Sequence, residues 1–89
     1  MTITVIRVDG AEEAHTVDGW RELRKLIGAS TVDVIDLLDG WLMILDDRAK
    51  RAERPENQRA TARYRTVYGP GATRAIHGDV AIVPDGDFD

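Results

Sequence analysis

Apolar and polar positions along this chain fall into short periodic segments separated by charged turns. Residues 3–8 alternate, with Ile3 and Val5 on one side and Thr4, Ile6 and Val8 on the other, and Asp9-Gly10 closes the run, so a first β-strand is expected there. An acidic stretch with Glu12 and Glu13 follows. Trp20, Leu23, Leu26 and Ile27 then repeat at helical spacing, with Asp18 placed to cap the start of a short helix and Gly28 to stop it. The densest apolar patterning lies at 31–47, where two β-rich runs meet at Asp39-Gly40, a strong signal for a two-residue hairpin turn. Such a turn sets Leu38 opposite Trp41, Leu37 opposite Leu42, Ile35 opposite Ile44, Val34 opposite Leu45 and Asp33 opposite Asp46.

Strands are therefore expected over 31–38 and 41–46, and in that register both faces are oily. One carries Val34, Leu38, Trp41, Met43 and Leu45, the other Ile35, Leu37, Leu42 and Ile44, and neither can be left in water. A β-bulge at Val34-Ile35, which would twist the two faces into one, is the alternative. Residues 47–56 are charged and aperiodic and read as an exposed, mobile connection. Pro55 and Asn57 suit a helix start, and Ala60, Tyr64, Val67 and Tyr68 share one side, predicting a second helix over 56–68 that Gly69-Pro70-Gly71 ends. A last strand is expected over 79–84.

The resulting β-α-β-β-α-β order predicts a single α+β domain over 1–84, a four-stranded mainly antiparallel sheet packed with two helices, followed by an acidic tail at 85–89. If both helices share one face, the other face keeps its apolar side chains exposed, and a second copy of the chain is the simplest cover. The expected homodimer interface is then Ile35, Leu37, Trp41, Leu42 and Ile44, with Trp41 an anchor at the turn.

Composition narrows the classes. With 43% hydrophobic and 31% charged residues the chain is a folded domain rather than a disordered one. It has no cysteine, which excludes disulfides and thiolate metal sites and agrees with a reducing, cytoplasmic setting. No apolar run approaches the length of a membrane span, and the first residues lack the pattern of a signal peptide. The net charge of −4 hides a segregation: residues 48–74 hold eight basic and two acidic residues, for +6, and the remainder carries −10.

Several constellations bear on chemistry. Asn57, Arg59, Thr61 and Arg63 at a helix start read as a site for an anion or nucleotide; the alternative is that Asn57 caps the helix, Thr61 bonds back to its own backbone and Arg59 is solvated. The arginines of 48–65 (Arg48, Arg51, Arg54, Arg59, Arg63 and Arg65) would suit a nucleic-acid backbone. The acidic remainder of the domain, with no stacking strand or DNA-reading helix, argues against that use. His15, His77 and Ser30 lie at unrelated positions with no nucleophile-elbow glycines, so no catalytic residue, metal site or cofactor is expected. Asp85-Gly86-Asp87-Phe88-Asp89 opens like a calcium loop but lacks its later ligands. The like-charge pair Asp33 and Asp46 calls for an arginine such as Arg48.

The order of several pieces carries a family resemblance: Leu26-Ile27-Gly28, the run Val32-Asp33-Val34-Ile35-Asp36-Leu37-Leu38-Asp39-Gly40, Leu45-Asp46-Asp47, Pro55-Glu56-Asn57-Gln58-Arg59-Ala60-Thr61, and Ile76-His77-Gly78-Asp79-Val80-Ala81-Ile82-Val83. Over nearly its whole length the chain resembles the domain of unknown function 3846 family of phages, plasmids and bacterial genomes. It departs from that pattern in the charged run 48–54, where an apolar residue often precedes the proline. The resemblance implies a phage or mobile-element setting and no established activity. The leading expectation is a non-enzymatic binding or inhibitor module that acts through protein–protein contact, as a homodimer with a host protein partner. An anion- or nucleotide-sequestering protein comes second and nucleic-acid binding through 48–65 third.

Overall fold

The computed structural model describes residues 1–87. The chain builds β1 (Thr2–Ile6), β2 (Glu12–Thr16), α1 (Trp20–Ile27), β3 (Val32–Asp36), β4 (Trp41–Asp46), α2 (Gln58–Tyr68) and β5 (Val80–Pro84), and a 3₁₀ turn at Asp85–Asp87 follows. All strand pairings are antiparallel, in the order β2-β1-β5-β4-β3. The α+β class is as expected, but the sheet has five strands rather than four. The added strand is the acidic stretch Glu12–Thr16, whose sequence lacks apolar alternation. It forms because its backbone completes a hairpin with β1 around the Arg7-to-Gly10 turn, where Gly10 N donates to Arg7 O at 2.9 Å. The acidic tail begins with an ordered turn. Asp85 N donates to Gly40 O at 2.9 Å, docking the 3₁₀ turn on the β3–β4 hairpin, whereas Phe88 and Asp89 lie outside the described residues.

The two central strands dictate the layers. In β4, Leu42 to Leu45 are all buried, and so are Val80 to Val83 in β5, so both faces of the sheet are apolar and each needs a cover. The helices do not share a face. On one side Leu23 and Ile27 of α1 pack with Ile3, Val5, Leu42, Ile44, Ala81 and Val83. On the other, Ala60, Tyr64 and Val67 of α2 pack with Ile6, Ile35, Leu37, Met43, Leu45, Val80 and Ile82. This corrects the premise of the predicted interface. Ile35, Leu37, Leu42 and Ile44 are all buried inside the chain, and of the five proposed interface residues only Trp41 keeps substantial exposure.

The hairpin register is also corrected. Asp36 pairs with Leu42, Ile35 with Met43, Val34 with Ile44 and Asp33 with Leu45, one residue away from the register a two-residue turn imposes. Leu37 N donates to Trp41 O at 2.9 Å, so the loop contains Leu38, Asp39 and Gly40. A slip of one residue exchanges the faces of one strand relative to the other. Ile35 and Leu37 thereby share a face with Met43 and Leu45, and no bulge is needed. Asp33 and Asp46 no longer oppose each other. Asp33 pairs with Arg74 at 3.0 Å and Asp46 with Arg54 at 3.3 Å, and the backbone N–H of Arg48, rather than its side chain, donates to Asp46.

Two joints fix the helices. The last turn of α1 leaves carbonyls without helical partners, and two arginines take them. Arg7 Nη1 donates to Leu26 O at 2.6 Å, and Arg54 donates from Nη1 to Ile27 O at 3.3 Å and from Nη2 to Gly28 O at 2.6 Å. Positive charge at a helix C-terminus also answers the dipole. The fit is close: a β-carbon on Gly28, whose φ is +70°, would lie 3.1 Å from the Arg54 guanidinium. The segment expected to be mobile is therefore pinned, with Ala49 buried beneath it and Arg54 N donating to Ala49 O at 3.0 Å.

The second joint is Asn57, fully buried at the start of α2. Its Oδ1 accepts from Ala60 N at 3.0 Å, its Nδ2 donates to Ile6 O at 2.9 Å and Gly78 O at 3.0 Å, and its backbone N–H donates to Ile76 O at 2.7 Å. Replacing it by alanine removes a cap and strands two buried carbonyls, so Asn57→Ala is expected to cost about 3 kcal/mol, read from urea unfolding.

Acid stability supplies a second check. The Glu13 carboxyl is held down at about 2, first because Arg7 donates to it and next because His15 does. A depressed carboxyl stabilises the fold above its ordinary value of 4.5, and that contribution fades as pH falls from there toward about 2. Melting temperature followed from neutral pH to about 2 should therefore fall less steeply below 4.5 in Glu13→Gln than in the parent chain.

Candidate functional site

The start of α2 does not bring the four predicted residues together on one surface. Asn57 spends its side chain on the three internal bonds above. Thr61, also buried, accepts from Ile76 N at 2.9 Å through Oγ1 and donates to Ile76 O, so it ties down the 76–78 segment rather than its own helix. Arg59 is exposed and paired with Glu12 of β2, and Arg63 is half-buried further along the helix. The four predicted residues thus divide into two internal fasteners and two separate surface cations. The arginines of 48–65 are similarly dispersed. Arg54 faces inward to α1 and Asp46, Arg59 answers Glu12, and Arg48 and Arg51 lie exposed in the turns after β4.

A polar cleft of about 470 Å³ opens beside those turns, lined among others by Asp46, Asp47, Lys50, Arg74 and His77. Its charges are largely answered within the fold. Asp46 meets Arg54, Arg74 meets Asp33, and Asp47 accepts from Thr31 Oγ1 at 2.5 Å. A carbonyl only accepts, so His77 Nδ1 donates to Arg54 O at 2.9 Å, which orients the ring against the loop. His15 lies on β2 beside Glu13, and Ser30 is exposed in the α1–β3 connection, so the elements of a triad are scattered. Among the described residues no group of three or more histidine, aspartate or glutamate side chains is placed to hold a metal ion. Nor is any helix among them long and apolar enough to cross a membrane.

The opposite end of the sheet is different in kind. There the β3–β4 loop presents Leu38, 68% exposed, next to Trp41 at 38%, and the end of α2 brings Tyr68 at 44%. Leu38 has φ of +62°, a conformation that costs a branched side chain free energy and that asparagine or glycine adopts more readily. The loop is nevertheless rigidly specified. Leu38 N donates to Asp36 Oδ1 at 2.8 Å, Tyr68 Oη donates to Asp36 O at 2.5 Å, and Asp85 N holds Gly40 O. Tyr68 in turn stacks on Tyr64 with ring centres 5.0 Å apart. Around these apolar groups stand three exposed carboxylates, Asp36, Asp39 and Asp85.

Trp41 was legible as a surface anchor because it follows a turn signal. Leu38 was not, because the two-residue turn would place it in a strand opposite Trp41. Only the longer loop puts it at the apex. Tyr68 repeats with Ala60 and Tyr64 as a core position, and its hydroxyl bond to β3 has no mark in the sequence.

Compared with known proteins, the chain matches no family model, no curated protein and no solved structure.

The left-handed leucine gives a direct test of whether the tip is shaped for stability. Asparagine accepts that backbone conformation, so Leu38→Asn is expected to raise stability by about 0.5–1 kcal/mol, measured by urea unfolding, although it deletes a large side chain.

Proposed function

We propose that this chain is a non-enzymatic contact module that engages a protein partner through the β3–β4 tip. The observation that carries this reading is Leu38, held 68% exposed in a left-handed backbone conformation at the end of the sheet where Trp41 and Tyr68 are also exposed. Strain retained in a rigid, exposed apolar loop is the mark of a functional constraint rather than of packing. An aromatic anchor fixed by its own hydrogen bond, as Tyr68 is by Asp36 O, loses little freedom on binding, which suits it to the centre of an interface. The ring of Asp36, Asp39 and Asp85 sets the partner's chemistry: an apolar recess or helix face flanked by lysine or arginine. A small module of this kind, directed at a host protein, fits the phage or mobile-element setting that the family resemblance implies.

The reading is tested with an amphipathic helical peptide of leucine and lysine as the probe, followed by tryptophan emission in a Trp20→Phe background. Saturable binding with a blue shift of Trp41 is expected. Leu38→Asn should weaken it about tenfold, equivalent to about 1.4 kcal/mol, and the combined Asp36→Asn/Asp39→Asn change should flatten its salt dependence. Equal binding of a leucine–glutamate peptide, or full binding by Leu38→Asn, would overturn the assignment.

A further inference from the structure

We infer that two copies of this chain pair through β2, joining their sheets edge to edge about a two-fold axis at Ala14. This is independent of the tip. The sheet has two edges, β2 and β3. In an antiparallel ladder alternate residues bond to the neighbouring strand, and those between them direct N–H and C=O outward. On β3 the bonds Leu37 N to Trp41 O and Asp47 N to Thr31 O put the odd-numbered residues in the ladder, leaving Val32, Val34 and Asp36 facing out. That edge is stoppered. Asp33 Oδ1 accepts from Val34 N at 2.9 Å, and the Tyr68 hydroxyl occupies Asp36 O.

On β2 the flanking bonds are Arg7 N to Ala11 O at 2.8 Å and a reciprocal pair between Met1 and Val17 at 2.9 and 3.0 Å. The odd-numbered residues therefore serve the β1 ladder, and Glu12, Ala14 and Thr16 present their backbone groups outward. Among the described residues nothing covers these groups. An open edge beside a stoppered one is an asymmetry that calls for an occupant.

The strand's own sequence identifies that occupant as itself. With the axis at Ala14, the three outward residues all find hydrogen-bonded partners, Ala14 with Ala14 and Glu12 with Thr16 of the second copy, and the smallest side chain sits on the axis itself. The intervening, closely spaced pairs set Glu13 of each copy opposite His15 of the other, acid against base. Moving the axis to Glu13 would oppose two carboxylates, and moving it to His15 would oppose two imidazoles. The remaining charge on the strand, Glu12, is already answered by Arg59 of its own α2. A self-matching strand is what an isologous contact requires.

Sedimentation and light scattering of the full chain from micromolar to millimolar concentration should give twice the 9.9 kDa chain mass. Ala14→Pro deletes the outward N–H at the axis without touching the β1 ladder, and Ala14→Lys sets two cations together. Both are expected to be monomeric with unchanged far-ultraviolet circular dichroism. In the parent chain, amide exchange at Glu12, Ala14 and Thr16 should slow by at least about tenfold as the dimer forms, while that at Val34 does not change. Leu38→Asn should dimerise normally, which separates this contact from the tip. A monomer at all concentrations, a dimer that leaves those three amides unprotected, or loss of the dimer in Leu38→Asn would overturn the inference.

Discussion

Everything in this fold follows from two neighbouring strands that carry no polar side chain on either face between Leu42 and Leu45 or between Val80 and Val83. A sheet with such a centre has no wet side. Burying each face at roughly 25 cal/mol per Å² of apolar surface is the main favourable term available to a chain of this size. One helix must go above and one below, and both are short, so neither would persist without the sheet. Their ends consequently need strong fastening. Arg7 and Arg54 supply it for α1 and Asn57 for α2.

Those fastenings explain where the charge goes. The basic excess of residues 48–74 looks, in sequence, like a surface for an anionic partner. In the folded chain Arg54 lies across the end of α1, and Arg59 and Arg74 reach acids on the two edge strands. Exposed pairs of this kind contribute little individually. Their value is geometric, since Arg59 ties α2, and Arg74 the segment after it, to an edge strand far away in the chain. Of the four residues predicted to bind an anion at α2, Asn57 and Thr61 already donate to Ile6, Gly78 and Ile76 inside the fold.

How much could be read beforehand depended on whether burial left a pattern. The strands with one clear oily run, the α1 stripe and the cap at Asn57 were all legible. The hairpin register was not: β4 is apolar on both faces, so setting Ile35 opposite Ile44 looked as good as the observed register, which sets Ile35 opposite Met43. Strand β2 was missed because Glu-Glu-Ala-His-Thr offers no apolar alternation. Its cohesion is backbone bonding to β1 plus the Arg7–Glu13–His15 cluster. At the tip, Trp41 announced itself and Leu38 did not, since its exposure is a product of loop length and not of residue type.

The order of strands also governs how the molecule must be made. β5 lies between β1 and β4, so the strand that completes the centre of the sheet is translated after the other four. Until it arrives, the β1–β2 and β3–β4 hairpins have no shared edge, and the slot between them is lined with unpaired backbone and bare aliphatic surface. Closing the sheet therefore waits on a non-local pairing that joins its first and fourth strands through the last, so the speed of that step is set by topology rather than by any single contact.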